Sequence, residues 1–145
     1  MPSADGLLTA EEYATSPDDG RLTELVRGVV VAIPDPTPDH GYLCGNVGYL
    51  IREYAKSRDL GRAVTNNCGV VTERNPDTVR GPDVAYYSYS KVPKGPLPEG
   101  YWPAPELVFE VRSPSDRWAA ITAKATEYLN AGVLERVSRG CSGCG

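Results

Sequence analysis

The segment 106–111 constrains the fold more than any other part of the chain. Its apolar run LVFEV is too short for a helix of its own and has proline on both sides, so we expect a buried β-strand. Glu110 lies inside this strand, between Phe109 and Val111. Burial of an ionised carboxylate costs several kcal/mol unless the carboxylate is paired or binds a metal. Glu110 therefore either points away from its apolar neighbours or needs a cationic partner or a metal ion.

A second acid opens another predicted strand, 83–87. Asp83 follows Pro82, and 26 residues separate it from Glu110. Mg²⁺ binds through one or two carboxylates and keeps several waters, and such an ion polarises a phosphate and lowers the pKa of a bound water. We therefore predict that Asp83 and Glu110 hold a divalent metal. The structural alternative is that Asp83 accepts from N–H groups of a turn and that Glu110 pairs with a base.

Two basic residues are candidates for stabilising the charge that grows on phosphate oxygens during hydrolysis. Arg112 follows Glu110 by two positions and so lies on the same face of the strand. Lys124 lies at helical offsets from Ile121 and Tyr128, at the border of the apolar stripe of the following helix. We expect one of these two side chains to reach the acidic pair.

The N-terminal third predicts a short helix, a hairpin and a long helix. Thr9 and Glu12 have the spacing of a capping box. Residues 22–33 read as two strands joined by a tight turn at Arg27-Gly28, with Glu24 in the first strand. A helix from Tyr42 to near residue 61 follows, and its predicted apolar face consists of Leu43, Val47, Leu50, Ile51 and Tyr54.

The rest of the chain predicts strands, one long loop and a last helix. We expect a strand over 64–72, a turn at 75–77 and a loop over 88–105, which contains five prolines. Residues 113–116 offer a helix N-cap. The helix that follows ends near Gly132, and its predicted apolar stripe is Trp118, Ile121, Ala125, Tyr128 and Leu129.

Composition limits the function classes. Hydrophobic residues make up 41% of the 145 positions and charged residues 23%, as in soluble globular domains. No apolar run is long enough for a membrane span, and the first residues do not resemble a signal peptide, so we expect a cytoplasmic protein with no membrane partner. The net charge of −4 means that any contact with nucleic acid must be local. In such a protein Cys44 and Cys68 are most simply small apolar core residues.

Several of these motifs together resemble the Uma2 family, also called DUF820. The similarity extends over about residues 8–133 and is specific in combination, although P-D-V alone would be weak. It rests on E-L-V-R-G at 24–28, P-D-H at 38–40, P-D-V at 82–84, E-V-R-S-P-S at 110–115, and K-x-x-x-Y-x-x-x-G-V at 124–133.

The resemblance implies a restriction-endonuclease-like PD-(D/E)XK fold, with a mixed central sheet flanked by helices. It also implies metal-dependent phosphodiester hydrolysis, with Asp83 and Glu110 as ligands of Mg²⁺ or Mn²⁺ and Glu24 as a supporting acid. The catalytic lysine of this family lies on the following helix, which assigns that role to Lys124 and leaves Arg112 as the second candidate. His40 matches a family position and is either a hydrogen-bonded residue at the helix start or a group that contacts the substrate phosphate.

The end of the chain departs from the family pattern. Members continue after A-G-V with a strand similar to E-Y-W-V-V-D-P, and residues from Leu134 onward match none of it. A frame change or a truncation produces such a tail. We therefore divide the chain into a nuclease-like domain, 1–133, and an atypical tail, 134–145, which we expect to add little to the core and to leave a sheet edge exposed. The C-x-x-C of Cys141 and Cys144 is a weak zinc motif by itself.

Three hypotheses follow. The first is a Mg²⁺- or Mn²⁺-dependent DNA endonuclease in which Asp83 and Glu110 bind the metal and Lys124 orients water or stabilises the transition state. The second is an inactive remnant of the same fold that serves as a dimerisation or nucleic-acid-binding module. The third is a metal-free structural protein. For a nuclease we expect a homodimer, by analogy, because both strands of the DNA must be cut.

Overall fold

The computed structural model describes residues 5–140. Three helices and eight strands are formed within these residues, in the order α1 (Ala10–Ala14), β1 (Thr23–Val26), β2 (Val29–Ala32), α2 (Pro38–Ser57), β3 (Gly61–Thr65), β4 (Val70–Glu73), β5 (Thr78–Arg80), β6 (Val84–Ser88), β7 (Leu107–Arg112), α3 (Trp118–Asn130) and β8 (Glu135–Gly140). None of the helices in this part of the chain has the length and apolar character that crossing a membrane requires.

The strands form two four-stranded sheets rather than one central sheet. The order is β2-β1-β5-β4 in the first sheet and β3-β6-β7-β8 in the second. All pairs are antiparallel except β7 and β8, which are parallel, so the second sheet is mixed. The predicted α/β class is confirmed. Residues 81–83 carry the chain from the first sheet to the second, and side chains from both sheets meet near this crossing.

The β1–β2 hairpin and the first helix form as predicted. Arg27 and Gly28 have φ angles of 48° and 81°, the left-handed conformation that a tight two-residue turn requires. A Cβ on Gly28 would lie 2.6 Å from the Cβ of Leu7, so only glycine fits there. Thr9 and Glu12 cap α1 reciprocally, and the Asp77 carboxylate accepts from the Ala10 N–H at 2.8 Å, which ties α1 to the turn before β5.

Helix α2 buries only part of the predicted face. Three of the five predicted residues are half-buried: Leu43, Val47 and Ile51. Leu50 and Tyr54 are 61% and 57% exposed, whereas Gly48 and Ala55 are buried. A Cβ on Gly48 would lie 2.9 Å from Cγ2 of Thr65. The small residues therefore let the helix approach β3 more closely than a face of large side chains would allow.

The predicted strand 64–72 is wrong, because the chain breaks in its middle. Asn66 and Asn67 both have positive φ, 69° and 54°, which ends β3 and turns the chain into β4 in the other sheet. The short strand β5 was not predicted. It is only three residues long and pairs with both β1 and β4.

The second half of the chain holds the main core. Val70, Val108, Tyr128 and Val133 form one buried cluster, which joins the two sheets to α3. Trp118 and Leu129 of the predicted stripe are exposed, whereas Ile121 and Tyr128 are buried.

The tail contributes more than expected. Residues 135–140 form β8, which pairs with β7 along its whole length, from Leu107↔Glu135 to Arg112↔Gly140. β8 therefore covers the edge of β7, which the expected loss of strands after Leu134 would have left open. Cys141 and Cys144 lie outside the described residues.

Candidate functional site

Five of the predicted site residues line one cleft of about 230 Å³: Glu24, His40, Asp83, Glu110 and Lys124. Each comes from a different part of the fold. Glu24 lies on β1, His40 in the first turn of α2, Asp83 directly before β6, Glu110 on β7 and Lys124 on α3. The strand crossing at 81–83 thus brings together residues that lie up to 100 positions apart in the chain.

Glu24 is the most buried acid of the cleft, at 4% exposure. Its Oε1 lies 3.1 Å from Nζ of Lys124 and accepts from the Gly81 N–H, and its Oε2 lies 2.9 Å from a guanidinium nitrogen of Arg80. Burial favours the neutral acid, but Lys124 and Arg80 together lower the pKa of Glu24 below its ordinary value. Glu24 is therefore an ionised acid whose oxygens are already engaged.

Glu110 is also mostly buried, with 12% of its side chain exposed, but its charge has fewer partners than that of Glu24. Its Oε1 lies 3.4 Å from Nζ of Lys124 and accepts from the Tyr128 hydroxyl at 3.1 Å. Burial raises the pKa of Glu110 to about 7, because it outweighs the attraction of Lys124 and is reinforced by repulsion from Asp83. A carboxylate in this state gains from an additional cation.

Lys124 carries the positive charge between these acids. Burial alone would lower its pKa, but Glu110 and Glu24 outweigh this effect and raise the pKa above the ordinary value. The ammonium group therefore keeps its proton. Such a charge suits an electrostatic role beside the two acids.

Asp83 is fixed by the neighbouring strand and faces His40. Its Oδ2 accepts from the Val111 N–H at 2.7 Å and lies 3.4 Å from Nε2 of His40. The same Nε2 lies 3.1 Å from the Val111 carbonyl oxygen. A carbonyl can only accept, so Nε2 donates to it, and Nδ1 faces the Cys44 sulfur at 3.5 Å.

The donor set fits a hard divalent ion. Oδ1 of Asp83 and Oε2 of Glu110 have no hydrogen-bond or ion-pair partner among the side chains of residues 5–134, and neither is among the fully buried unpaired atoms of that part of the chain. Each acid thus offers one oxygen that remains open in a cleft that also holds an ammonium group. Carboxylate oxygens with room for water are the ligands that Mg²⁺ and Mn²⁺ prefer.

Arg112 does not line this cleft. Its guanidinium carbon lies 3.9 Å from the centre of the Trp118 ring, and its Nε is buried without a hydrogen-bond partner among the residues that the structure describes. It borders a neighbouring cavity of about 320 Å³ that also contacts Glu110 and Lys124. Of the two predicted cations, Lys124 is therefore the one that contacts the acids.

Sequence reasoning missed Arg80 and Glu127 and gave Tyr128 only an apolar role. Arg80 joins Glu24 to Glu127, with Nε and Nη2 at 2.7 and 3.1 Å from the two Glu127 oxygens. Glu127 and Tyr128 lie one turn after Lys124 on the same helix. Their helical spacing from Lys124 was the available signal that Glu127 and Tyr128 lie near the site. No feature of the sequence around Arg80 indicates that β5 exists.

Cys44 also differs from its expected role as an apolar core residue. It is half-buried one helical turn after His40, and its sulfur contacts the imidazole. Cys68 fits the expectation better, because it packs against the buried cluster of Ala85, Tyr87 and Val92.

Comparison with known proteins shows the fold and the family of this chain. A solved structure from Anabaena variabilis ATCC 29413, described as a "putative nuclease belonging to DUF820", superposes with a TM-score of 0.78 at 19% identity, covering 92% of this chain and 74% of that one. No curated protein matches the chain. The family model Uma2, described as "Putative restriction endonuclease", matches residues 10–137. By fold and by sequence, the chain belongs to the Uma2 family.

Proposed function

We propose that this protein is a Mg²⁺- or Mn²⁺-dependent endonuclease that hydrolyses phosphodiester bonds in DNA. One observation carries the proposal: Asp83 and Glu110 each keep an open carboxylate oxygen in the cleft where Lys124 lies within 3.4 Å of Glu110. Membership of a family described as restriction endonucleases supports the reaction class.

In this proposal Asp83 and Glu110 hold the ion, which when bound polarises the scissile phosphate and lowers the pKa of a bound water. Lys124 stays protonated and stabilises the charge that develops on the phosphate oxygens. Glu24 acts as a positioning residue, because its contact at 3.1 Å fixes the lysine ammonium beside Glu110. Arg80 holds Glu24 in turn.

His40 and Arg112 are proposed to contact the DNA backbone. His40 lines the cleft beside Asp83, and Arg112 borders the adjacent cavity. The chain has a net charge of −4, so phosphate contacts must come from such local groups rather than from the overall field. We further propose a homodimer, which would cut both DNA strands, acting in the cytoplasm.

Cleavage of supercoiled plasmid tests the proposal. The wild-type chain with Mg²⁺ or Mn²⁺ should nick and linearise the plasmid, and EDTA should stop it. Asp83→Asn and Glu110→Gln should each lower the rate by at least about 100-fold, since each removes a charge at the ion. Glu53→Gln, the same change of charge on an exposed helix position, is the matched control and should cut normally.

Equal cutting by Asp83→Asn, Glu110→Gln and wild type would refute the proposal that these two acids hold the catalytic ion. No cutting by wild type across both metals and several DNA substrates would favour the inactive-remnant hypothesis. Retained DNA binding in a mobility-shift assay would then identify a binding module.

A further inference from the structure

A second cavity adjoins the acidic cleft at His40 and Asp83. It has a volume of about 290 Å³ and is lined by residues of α2 and of the β3–β4 turn, among them Cys44 and Asn67. His40 and Asp83 border both this cavity and the acidic cleft. The two side chains therefore form a wall that the two cavities share.

Three side chains at this wall have the chemistry of a transition-metal site. His40 and Cys44 are four positions apart on α2, which puts them on one face of the helix. A ring nitrogen of His40, the sulfur of Cys44 and a carboxylate oxygen of Asp83 all lie within 4.8 Å of one another. At present the imidazole bridges the other two groups through contacts of 3.5 Å to sulfur and 3.4 Å to oxygen.

The donors favour zinc over magnesium. Thiolate and imidazole are soft or intermediate ligands that suit Zn²⁺, whereas Mg²⁺ prefers oxygen alone. Bonds of about 2.0–2.3 Å in a tetrahedral site place zinc ligands about 3.3–3.8 Å apart. The donor separations of up to 4.8 Å must therefore shrink by up to about 1–1.5 Å on binding, through rotation of the His40 ring and the Cys44 side chain. A water completes the four ligands.

We propose that His40, Cys44 and Asp83 bind a Zn²⁺ ion. Because Asp83 is also a ligand of the proposed catalytic ion, Zn²⁺ at this position competes with Mg²⁺ for the same carboxylate. The inhibitory consequence rests on the proposed function, whereas zinc binding does not. Zinc binding displaces the thiol proton of Cys44, so the affinity increases with pH.

Thiol protection in the wild-type chain tests the binding step without any assay of activity. Iodoacetamide is added with and without Zn²⁺, and the protein is digested with trypsin. The digest separates Cys44, Cys68 and the tail cysteines onto peptides 28–52, 63–74 and 140–145. Saturating Zn²⁺ should slow alkylation of Cys44 by at least about tenfold by mass action and leave Cys68 unchanged.

Ligand variants make the test specific. Loss of even an outer partner of a metal costs about 10- to 100-fold in affinity, so His40→Ala should raise the Zn²⁺ concentration for half-protection of Cys44 by at least about tenfold. The tail variant Cys141→Ser/Cys144→Ser should leave it unchanged. Alkylation of Cys44 that is insensitive to Zn²⁺, or protection that survives His40→Ala, would overturn the proposal.

The competition is tested separately with Cys44→Ser. This variant should retain Mg²⁺-dependent plasmid cleavage but need at least about tenfold more Zn²⁺ for half-inhibition than wild type. If Zn²⁺ protects Cys44 but cleavage is absent from every variant, the zinc site stands and the proposed nuclease fails. If Zn²⁺ inhibits wild type and Cys44→Ser equally, the shared-ligand competition is refuted.

Discussion

Arg80 provides a quantitative test of how the acidic cleft is held together. Its guanidinium makes one contact to Glu24 at 2.9 Å and two to Glu127 at 2.7 and 3.1 Å. The side chains of Arg80, Glu24 and Glu127 are only 18%, 4% and 13% exposed. Arg80→Met removes the charge but keeps much of the apolar stem.

The expected cost follows from these contacts. Hydrogen bonds to charged groups contribute about 1.5–3 kcal/mol each, but Glu24 keeps Lys124 and the Gly81 N–H as partners. The net loss should therefore be about 3–5 kcal/mol, the usual cost of removing one partner from a buried ion pair. For a chain of this size that corresponds to a decrease in Tm of about 10–15 °C.

Urea denaturation measures this cost directly, and the chain offers a matched control. Arg21 also pairs with a carboxylate, Asp19 at 2.6 Å, but both side chains are more than half exposed. Arg21→Met should leave the free energy of unfolding nearly unchanged, because solvent screens such a pair. Arg80→Met/Glu127→Gln should recover part of the loss, since the second change removes an unpaired charge. Equal stability of Arg80→Met and Arg21→Met would refute the described network.

Three further predictions concern the scaffold. Asp77→Ala should lower the unfolding free energy by about 2–4 kcal/mol. Burial opposes the charge of Asp77, but two backbone N–H groups and a guanidinium lower its pKa, so the stabilisation is present above the unfolded pKa of about 3.9 and is lost as pH falls through the folded value. Acid titration of Asp77→Asn against wild type measures this loss. Gly28→Ala should destabilise by about 1–3 kcal/mol because of its positive φ and the clash with Leu7, whereas Gly45→Ala, in open space on α2, should stabilise by up to about 1 kcal/mol in the same melts. Burial raises the pKa of Cys68 to about 11, so its alkylation at pH 8 should be about 100-fold slower in the native chain than in urea, and equal rates would contradict its burial.

Local signals in the sequence predicted local structure well. The capping box of Thr9 and Glu12 and the turn at Arg27-Gly28 depend on a few adjacent residues, and both form as predicted. The face of α2 was predicted correctly for Leu43, Val47 and Ile51 but wrongly for Leu50, because hydrophobicity alone favours Leu50, whereas close approach to β3 favours Gly48. That preference depends on the partner strand and cannot be read from the helix.

In the candidate site, too, local signals could be read from the sequence and long-range contacts could not. Asp83, Glu110 and Lys124 could be selected because an acid within an apolar strand and a lysine beside an apolar stripe both need partners, and the structure places all three in one cleft. Arg80 could not be selected, because its role depends on β5 pairing with β1, a contact over more than 50 residues. Cys44 was taken for a core residue because its sequence neighbours do not show that the His40 ring turns toward it.

Titration calorimetry with Mg²⁺ most directly tests the central claim that Asp83 and Glu110 hold a divalent ion. The wild-type chain and Glu53→Gln should bind Mg²⁺ with the same affinity, and Asp83→Asn and Glu110→Gln should each bind at least about tenfold more weakly. Native circular dichroism of all four proteins establishes that the comparison is between folded chains. Mg²⁺ affinity that is the same in all four would contradict the claim.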